Sequence, residues 1–323
     1  MATRAVESLL LLVFMSWAIY SLIGLMPGDP VDIMIASNPE ITPLDAERLR
    51  LQYGLDVPIF ERYWNWLTSA LEGDLGYSRT YNRPVLEILG PRLANTLVLL
   101  GVSSVLAASI AIPLGVLAAA RPHSLVDHGV NLFCFAGISV PQFWLALLFI
   151  LFFAVGLGWL PAGGMGPIDL PEGLAGVAAK ARYLVLPVVT LTIASLAGYT
   201  RFMRAAMIEA LRQDYVRTAR AKGVTPFRLV FGHALRNAMI PVITIVALDF
   251  GTLFSGALIT ETMFAYLGMG KLIYDAIMGN DYNVALTGLM FATLIVLIGN
   301  LLADIGYVAL DPRISFRKLE QQW

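Results

Sequence analysis

The groups best suited to gripping another molecule are concentrated in residues 209–241, EALRQDYVRTARAKGVTPFRLVFGHALRNAMIP. Arg212, Arg217, Arg220, Lys222, Arg228 and Arg236 make this island basic, with Asp214 near its start. Guanidinium groups hold carboxylates and phosphates through paired hydrogen bonds, so the chemistry offered is docking rather than bond making. Bond making finds little support elsewhere. His123, His128 and His233 lack metal-ligand spacing, and no H-E-x-x-H pattern exists. Gly270 and Lys271 form a GK pair, but Leu272 follows and Ala265 stands where a phosphate loop needs its first glycine. Cys134 has no second cysteine to pair with, which excludes a disulfide within the chain and a cysteine-built zinc site.

Two carboxylates stand inside long apolar runs. Asp249 lies in ALDFGTLFSGALIT, with Thr252 and Ser255 following, and Asp304 lies in NLLADIGYVAL. Ionisable groups in such surroundings are costly and mark functional positions by default. Asp249 is the deeper, suited to a substrate amine or to a hydrogen bond with a partner chain. Asp304 reads as interfacial, hydrogen-bonded or paired with an arginine. Thr244 and Asn300 add uncharged polar contacts, although hydroxyls in helices often bond their own backbone.

The elements that position these groups are apolar helices. Hydrophobic residues make up 58% of the 323 and charged ones 14%, against roughly 45–50% and about 25% in a soluble domain. The chain belongs in a bilayer. Six stretches approach or exceed the roughly 20 residues that a spanning helix needs: 9–25, 95–120, 130–160, 183–199, 238–259 and 284–310. The third contains Pro141, which should kink it or mark where it changes direction. The first follows Arg4 but lacks a small-x-small cleavage pattern, so it reads as a retained signal anchor.

Loop charge sets the orientation. Arg4, Arg121, the island's cations, Arg313, Arg317 and Lys318 all fall on one side if six helices alternate. The positive-inside rule makes that side, with both termini, cytoplasmic. The long first external loop carries Tyr63, Trp64 and Trp66 and reads as a small subdomain or interfacial helix. The second, GWLPAGGMGPIDLPEG, has turn chemistry and little to build a core. The third, MFAYLGMGKLIYDAIMGNDYN, alternates apolar and turn residues in a way suited to dipping back toward the membrane.

Within the island the pattern predicts a helix over 203–222, Gly223 as a left-handed stop, Thr225 as N-cap and Pro226 opening a second helix. On that second helix Phe227, Val230, Phe231, Ala234 and Leu235 share one face, with Arg228, Gly232 and Arg236 on the other. A topology-fixing loop lying on acidic lipid has the same composition.

The segment DYVRTARAKGVTPFRLVFGHALRNAMIPVIT resembles the cytoplasmic EAA loop of ABC importer permeases, in the form of the dipeptide and oligopeptide branch. Ala219 and Gly223 fit the wider pattern, while Arg217 and Thr218 replace its first letters, His233 occupies its isoleucine position and the proline moves to Pro241. The likeness spans nearly the whole chain, through MPGDPVDIM, YGLDVPIFERYWNWL, GDLGYSRTYNRPVLEIL, ANTLVLL, IPLGVLAA, GISVPQFWLALLFI, ETMFAYLGMGKLIYDAI and NLLADIGYVALDPRI in shared order.

The resemblance implies an all-α integral membrane protein with six transmembrane helices, the type I ABC importer permease fold, and a cytoplasmic coupling helix. Its organisation would be an N-terminal transmembrane helix at 1–28, an external loop subdomain at 29–93, a permease domain at 94–310 with its coupling loop at 203–237, and a tail at 311–323. Such a subunit binds no cofactor; ATP and Mg are bound by partner ATPase subunits. The implied partners are a homologous second permease, two ABC ATPases, a periplasmic substrate-binding protein and membrane lipid, with no nucleic acid. Coupling to the ATPase would fall to Asp214, Tyr215, Arg217, Thr218, Ala219, Arg220, Ala221, Lys222, Gly223 and His233. The translocation path would include Asp249, Thr252 and Ser255, and the external gate Glu261, Gly268 and Gly270. Close approach at the turn suits Ala219, Ala221 and Gly223.

Three other classes fit less well, one of them a membrane-anchored scaffold, which would not require so many spans. An ion-driven secondary transporter calls for inverted repeats and several membrane carboxylates. A membrane enzyme needs a nucleophile and base or a metal cluster in adjacent spans.

Overall fold

The computed structural model describes residues 2–25, 31, 35, 42–52 and 56–310. The side chains of Thr252, Ser255 and Asp304, and the whole tail 311–323, lie outside the described residues. By contact the chain divides into two compact units, Met1–Asn95 with Gly268–Ile295, and Thr96–Leu267 with Val296–Trp323.

In the first unit, α1 (Ala2–Gly24) is an apolar rod with most of its surface open, as a lipid-facing helix requires. Two short helices follow, α2 (Pro43–Gln52) and α3 (Ile59–Leu71). The aromatic residues of α3 dock it on α1: Tyr63 packs edge-on against Trp17 at 5.0 Å, and its hydroxyl shares a 2.6 Å hydrogen bond with Ser16. Trp66 packs near Tyr20 at 5.9 Å, whereas Trp64 points outward. The expected aromatic cluster is therefore split: Tyr63 and Trp66, one helical turn apart, form the docking face, and Trp64 lies off it.

A two-stranded hairpin comes next, β1 (Tyr77–Ser78) antiparallel to β2 (Arg83–Pro84), with Asn82 at φ 50° completing its turn. The hairpin is clamped by Asp281, which immediately precedes the last helix. The buried Asp281 carboxylate accepts the Ser78 hydroxyl at 2.6 Å and the Thr80 N–H at 2.9 Å, and Asn283 donates to the Tyr77 carbonyl at 3.0 Å. The loop before the last helix forms the helix Met269–Met278, capped at its start by Gly268 and stiffened by Lys271 and Asp275 one turn apart at 2.7 Å.

The second unit is a helical bundle. Helix α4 (Val85–Ala120) begins well before the expected span, and α7 (Gly173–Arg212) extends the expected 183–199 at both ends. Polar flanks do not stop a helix once its neighbours satisfy it, and hydropathy locates only the lipid-buried part. Between them lie α5 (Leu125–Ser139) and α6 (Gln142–Phe149), which continues as a wider π turn over Ile150–Gly156. The α5–α6 pair bends by 96° at Pro141, whose missing N–H and fixed φ of −60° break the ladder there, so the expected third span is a bent pair.

Helix α10 (Leu235–Met263) packs along α7. Gly115 of α4 lies so close to α7 that a Cβ there would stand 2.6 Å from Met203 Cβ. Among the described residues, five helices are long and apolar enough to cross a membrane, or six counting the bent pair once.

Candidate functional site

The basic island folds differently from its sequence pattern. The expected helix over 203–222 breaks at Gln213, with φ −69° and ψ 152°, so α7 ends at Arg212 and a separate α8 covers Asp214–Ala221. No glycine or proline marks this break; packing sets it. Val216 and Ala219, one turn apart on α8, are buried among Met203, Met207 and Ala210 of α7 and Leu229 and Ala234 beyond the turn. Burying Val216 contributes about 1.5–3 kcal/mol, which anchors an eight-residue helix too short to stand alone.

The outward face of α8 carries Tyr215, Arg217, Thr218, Arg220, Ala221 and Lys222. Asp214 and Arg217 meet at 3.5 Å in the open, an arrangement that contributes little to stability. Gly223 has φ 77° and its N–H donates to the Arg220 carbonyl at 3.0 Å. The left-handed stop is thus present, but a Cβ at Gly223 would meet nothing within 4 Å. Ala219 is buried within the chain, whereas Ala221 and Gly223 are exposed.

Thr225 and Pro226 open the next turn as expected, though Thr225 makes no side-chain cap hydrogen bond. The second helix does not stand apart: Pro226–Arg228 (α9) runs through a π segment at Leu229–Ala234 directly into α10. The extra residue per turn rotates the face, so Leu229 and Ala234 are buried while Phe227 and Phe231 are 70% and 46% exposed, their rings in tilted contact at 4.6 Å. His233 is also exposed.

Behind the island lies an ion pair that the sequence did not reveal. Asp127, in the first turn of α5, is 2% exposed and binds Arg204 of α7 through both carboxylate oxygens, with Nη2 to Oδ2 at 2.7 Å. Its remaining lone pairs accept the His123 N–H at 2.9 Å and the Asn131 amide at 2.8 Å. Ser124 caps α5 by accepting the Asp127 N–H at 3.3 Å. The S-x-x-D spacing of Ser124 and Asp127 could have announced the helix start; nothing local announced a partner 77 residues away.

At the opposite end of this unit, Glu261 is fully buried and accepts the Thr96 hydroxyl at 2.6 Å. Gln142, at the start of α6, donates to Thr260 at 2.9 Å. Burial, with the Glu261 carboxylate nearby, pushes the Tyr266 phenol up to about 12. The Gly164 N–H donates to the Phe264 carbonyl at 2.8 Å, and a Cβ on Gly163 would collide with that oxygen. The loop between α6 and α7 is therefore stapled to the end of α10. Gly268 and Gly270 are buried within the first unit.

Leu186 packs with Phe264 at the Glu261 end, and Arg204 marks the island end. They are separated along α7 by about 27 Å at roughly 1.5 Å per residue, close to the ~30 Å of bilayer hydrocarbon. Ser195 lies midway, and its hydroxyl donates to Asp249 at 3.3 Å. Asp249 is thus level with the middle of that stretch of α7 and half-buried.

Two family models match the chain. One, described as binding-protein-dependent transport system inner membrane component, covers residues 111–316; its N-terminal counterpart covers residues 1–100. Among similar proteins, the oligopeptide transport system permease protein AppB of Bacillus subtilis is 40% identical over 90% of each chain. The di/tripeptide transport system permease protein DppB of Pseudomonas aeruginosa is 39% identical over 93% of each. The dipeptide transport system permease protein DppB of Escherichia coli K12 is 35% identical, again over 93% of each. With its lipid-length apolar helices and these matches along nearly its whole length, this chain belongs to the binding-protein-dependent transport system inner membrane components, multi-pass permease subunits that are not themselves enzymes.

Proposed function

We propose that the chain forms half of the translocation pore of an ABC importer for dipeptides or oligopeptides, with a homologous permease as the other half. Two ATPase subunits would dock on the island from the cytoplasm, and a periplasmic binding protein would deliver substrate from the other side. The observation that carries this reading is α8: a short helix seated by Val216 and Ala219, whose polar face makes its ion pair and side-chain hydrogen bond only within α8 itself among the described residues. A push on that face passes through the buried cluster to α7 and α10 together, the coupling that rocking between inward-open and outward-open states needs. The peptide class rests on the names of the relatives.

In this reading Asp249, with Thr252 and Ser255, lines the path at mid-depth, and Glu261, Gly268 and Gly270 belong to the external gate. Residues 29–93 form the external subdomain, 203–237 the coupling loop and 311–323 a cytoplasmic tail, with both termini inside. A path with so few charges suits a transporter whose selectivity resides in its binding protein, since weak contacts release substrate quickly.

Gly223→Pro tests the docking role. Proline cannot adopt a φ of 77° and has no N–H for Arg220, so the turn must reshape. The chain should still insert and pair with the second permease, while ATPase association and uptake are lost. Uptake still coupled to ATP hydrolysis in that variant would defeat the assignment.

A further inference from the structure

Beside α8, within the second unit, a cleft of about 690 Å³ opens between the cytoplasmic loop after α4, the end of α7 and the turn after Gly223. Its wall is apolar, with Ile208, Leu211 and Val230 prominent, and its rim carries Arg204, Arg212 and Arg220 without any carboxylate. Arg204 is neutralised by Asp127. Arg212 and Arg220 have no ion-pair partner among the described residues. Two uncompensated guanidinium groups therefore face an apolar hollow.

We propose that this cleft binds an anionic phospholipid, its phosphodiester held between Arg212 and Arg220 and the first part of its acyl chains laid on Ile208, Leu211 and Val230. Guanidinium pairs bind phosphate oxygens bidentately, and the adjoining apolar wall distinguishes a lipid from a free anion. An occupant here would touch α7, α8 and the turn into α10 at once, so the lipid would brace the seat of the coupling helix. The site is additional to ATPase docking.

Phosphatidylglycerol is the probe. The assembled importer is placed in nanodiscs of phosphatidylcholine with about one-fifth phosphatidylglycerol, released, and the retained lipid weighed by native mass spectrometry. Both leaflets carry the probe, so the outcome is independent of orientation. Arg212→Gln and Arg220→Gln should each lower phosphatidylglycerol retention about fivefold, the factor for one basic side chain near an anionic surface. The two together should lower it by about twenty-five-fold. Replacing both by Lys should preserve retention within a few-fold, which separates loss of charge from loss of fold. Arg236→Gln, outside the cleft, should change nothing. The single variants keep the test open if the double variant fails to assemble. Retention unchanged in the glutamine variants overturns the proposal. So does displacement of the lipid by millimolar inorganic phosphate, which would make the site one for free anions. Retention seen only without the ATPase subunits also overturns it, since an acidic segment of those subunits would then fill the cleft.

Discussion

Replacing Arg204 by Met tests whether the ion pair behind the island holds α5 against α7. Asp127 is 2% exposed and Arg204 25%, so removing the arginine strands the more deeply buried partner. Opposite charges about 4 Å apart attract by about 4 kcal/mol at an effective dielectric near 20, and breaking a buried pair from one side costs about 3–5 kcal/mol. Asp127 would keep the His123 N–H and Asn131 amide, which places Arg204→Met toward the lower end of that range. Asp127→Leu leaves Arg204 its partial access to solvent but orphans those two donors, at about 1–3 kcal/mol each when buried. The double variant Asp127→Leu with Arg204→Met removes both charges. It should therefore lose less than the sum of the single losses, by about 3 kcal/mol. The assay is equilibrium unfolding in mixed micelles of the chain purified with its co-expressed partners, giving a double-mutant cycle. Additive losses would refute the reasoning, because an ion pair that holds two helices must couple its members.

Two further perturbations follow from the same geometry. Asp281→Ala leaves the Ser78 hydroxyl and Thr80 N–H without their acceptor, a local cost of about 2–4 kcal/mol; limited proteolysis should then cut the Tyr77–Pro84 hairpin faster, and an unchanged cutting rate would show that the clamp is idle. Asp249→Asn should leave assembly intact and lower uptake of a free-amine peptide about tenfold, as loss of a charged hydrogen bond implies, while uptake of the N-acetylated peptide stays the same; equal losses for both would remove the ammonium contact from the path.

Much of the site's punctuation was legible because it depends on the backbone preferences of single residues. Pro141 has no N–H to give and a fixed φ, so the third span bends there wherever it sits in the fold. Gly223 adopts a φ that costs other residues strain, and Thr225 with Pro226 opens the following turn for similarly local reasons. The break at Gln213 was illegible, since nothing in its chemistry forbids a continuous helix from 203 to 222. The π segment at Leu229–Ala234 was equally hidden, and by turning the helix face it exposed Phe227 and Phe231 where a regular 3.6-residue period had buried them.

Sequence by itself determined that the chain lives in lipid, roughly where its spans lie, and that its positive charge gathers at one set of loops. These follow from composition and order, because hydrocarbon accepts only long apolar helices and each residue contributes to that condition independently. Tertiary structure alone decided which polar groups meet. Arg204 finds Asp127 across 77 residues, Thr96 finds Glu261 across 165 and Ser78 finds Asp281 across 203. A buried carboxylate has to be matched by donors, but only packing determines which of many distant candidates comes within 3 Å, since no local preference of either residue specifies the other.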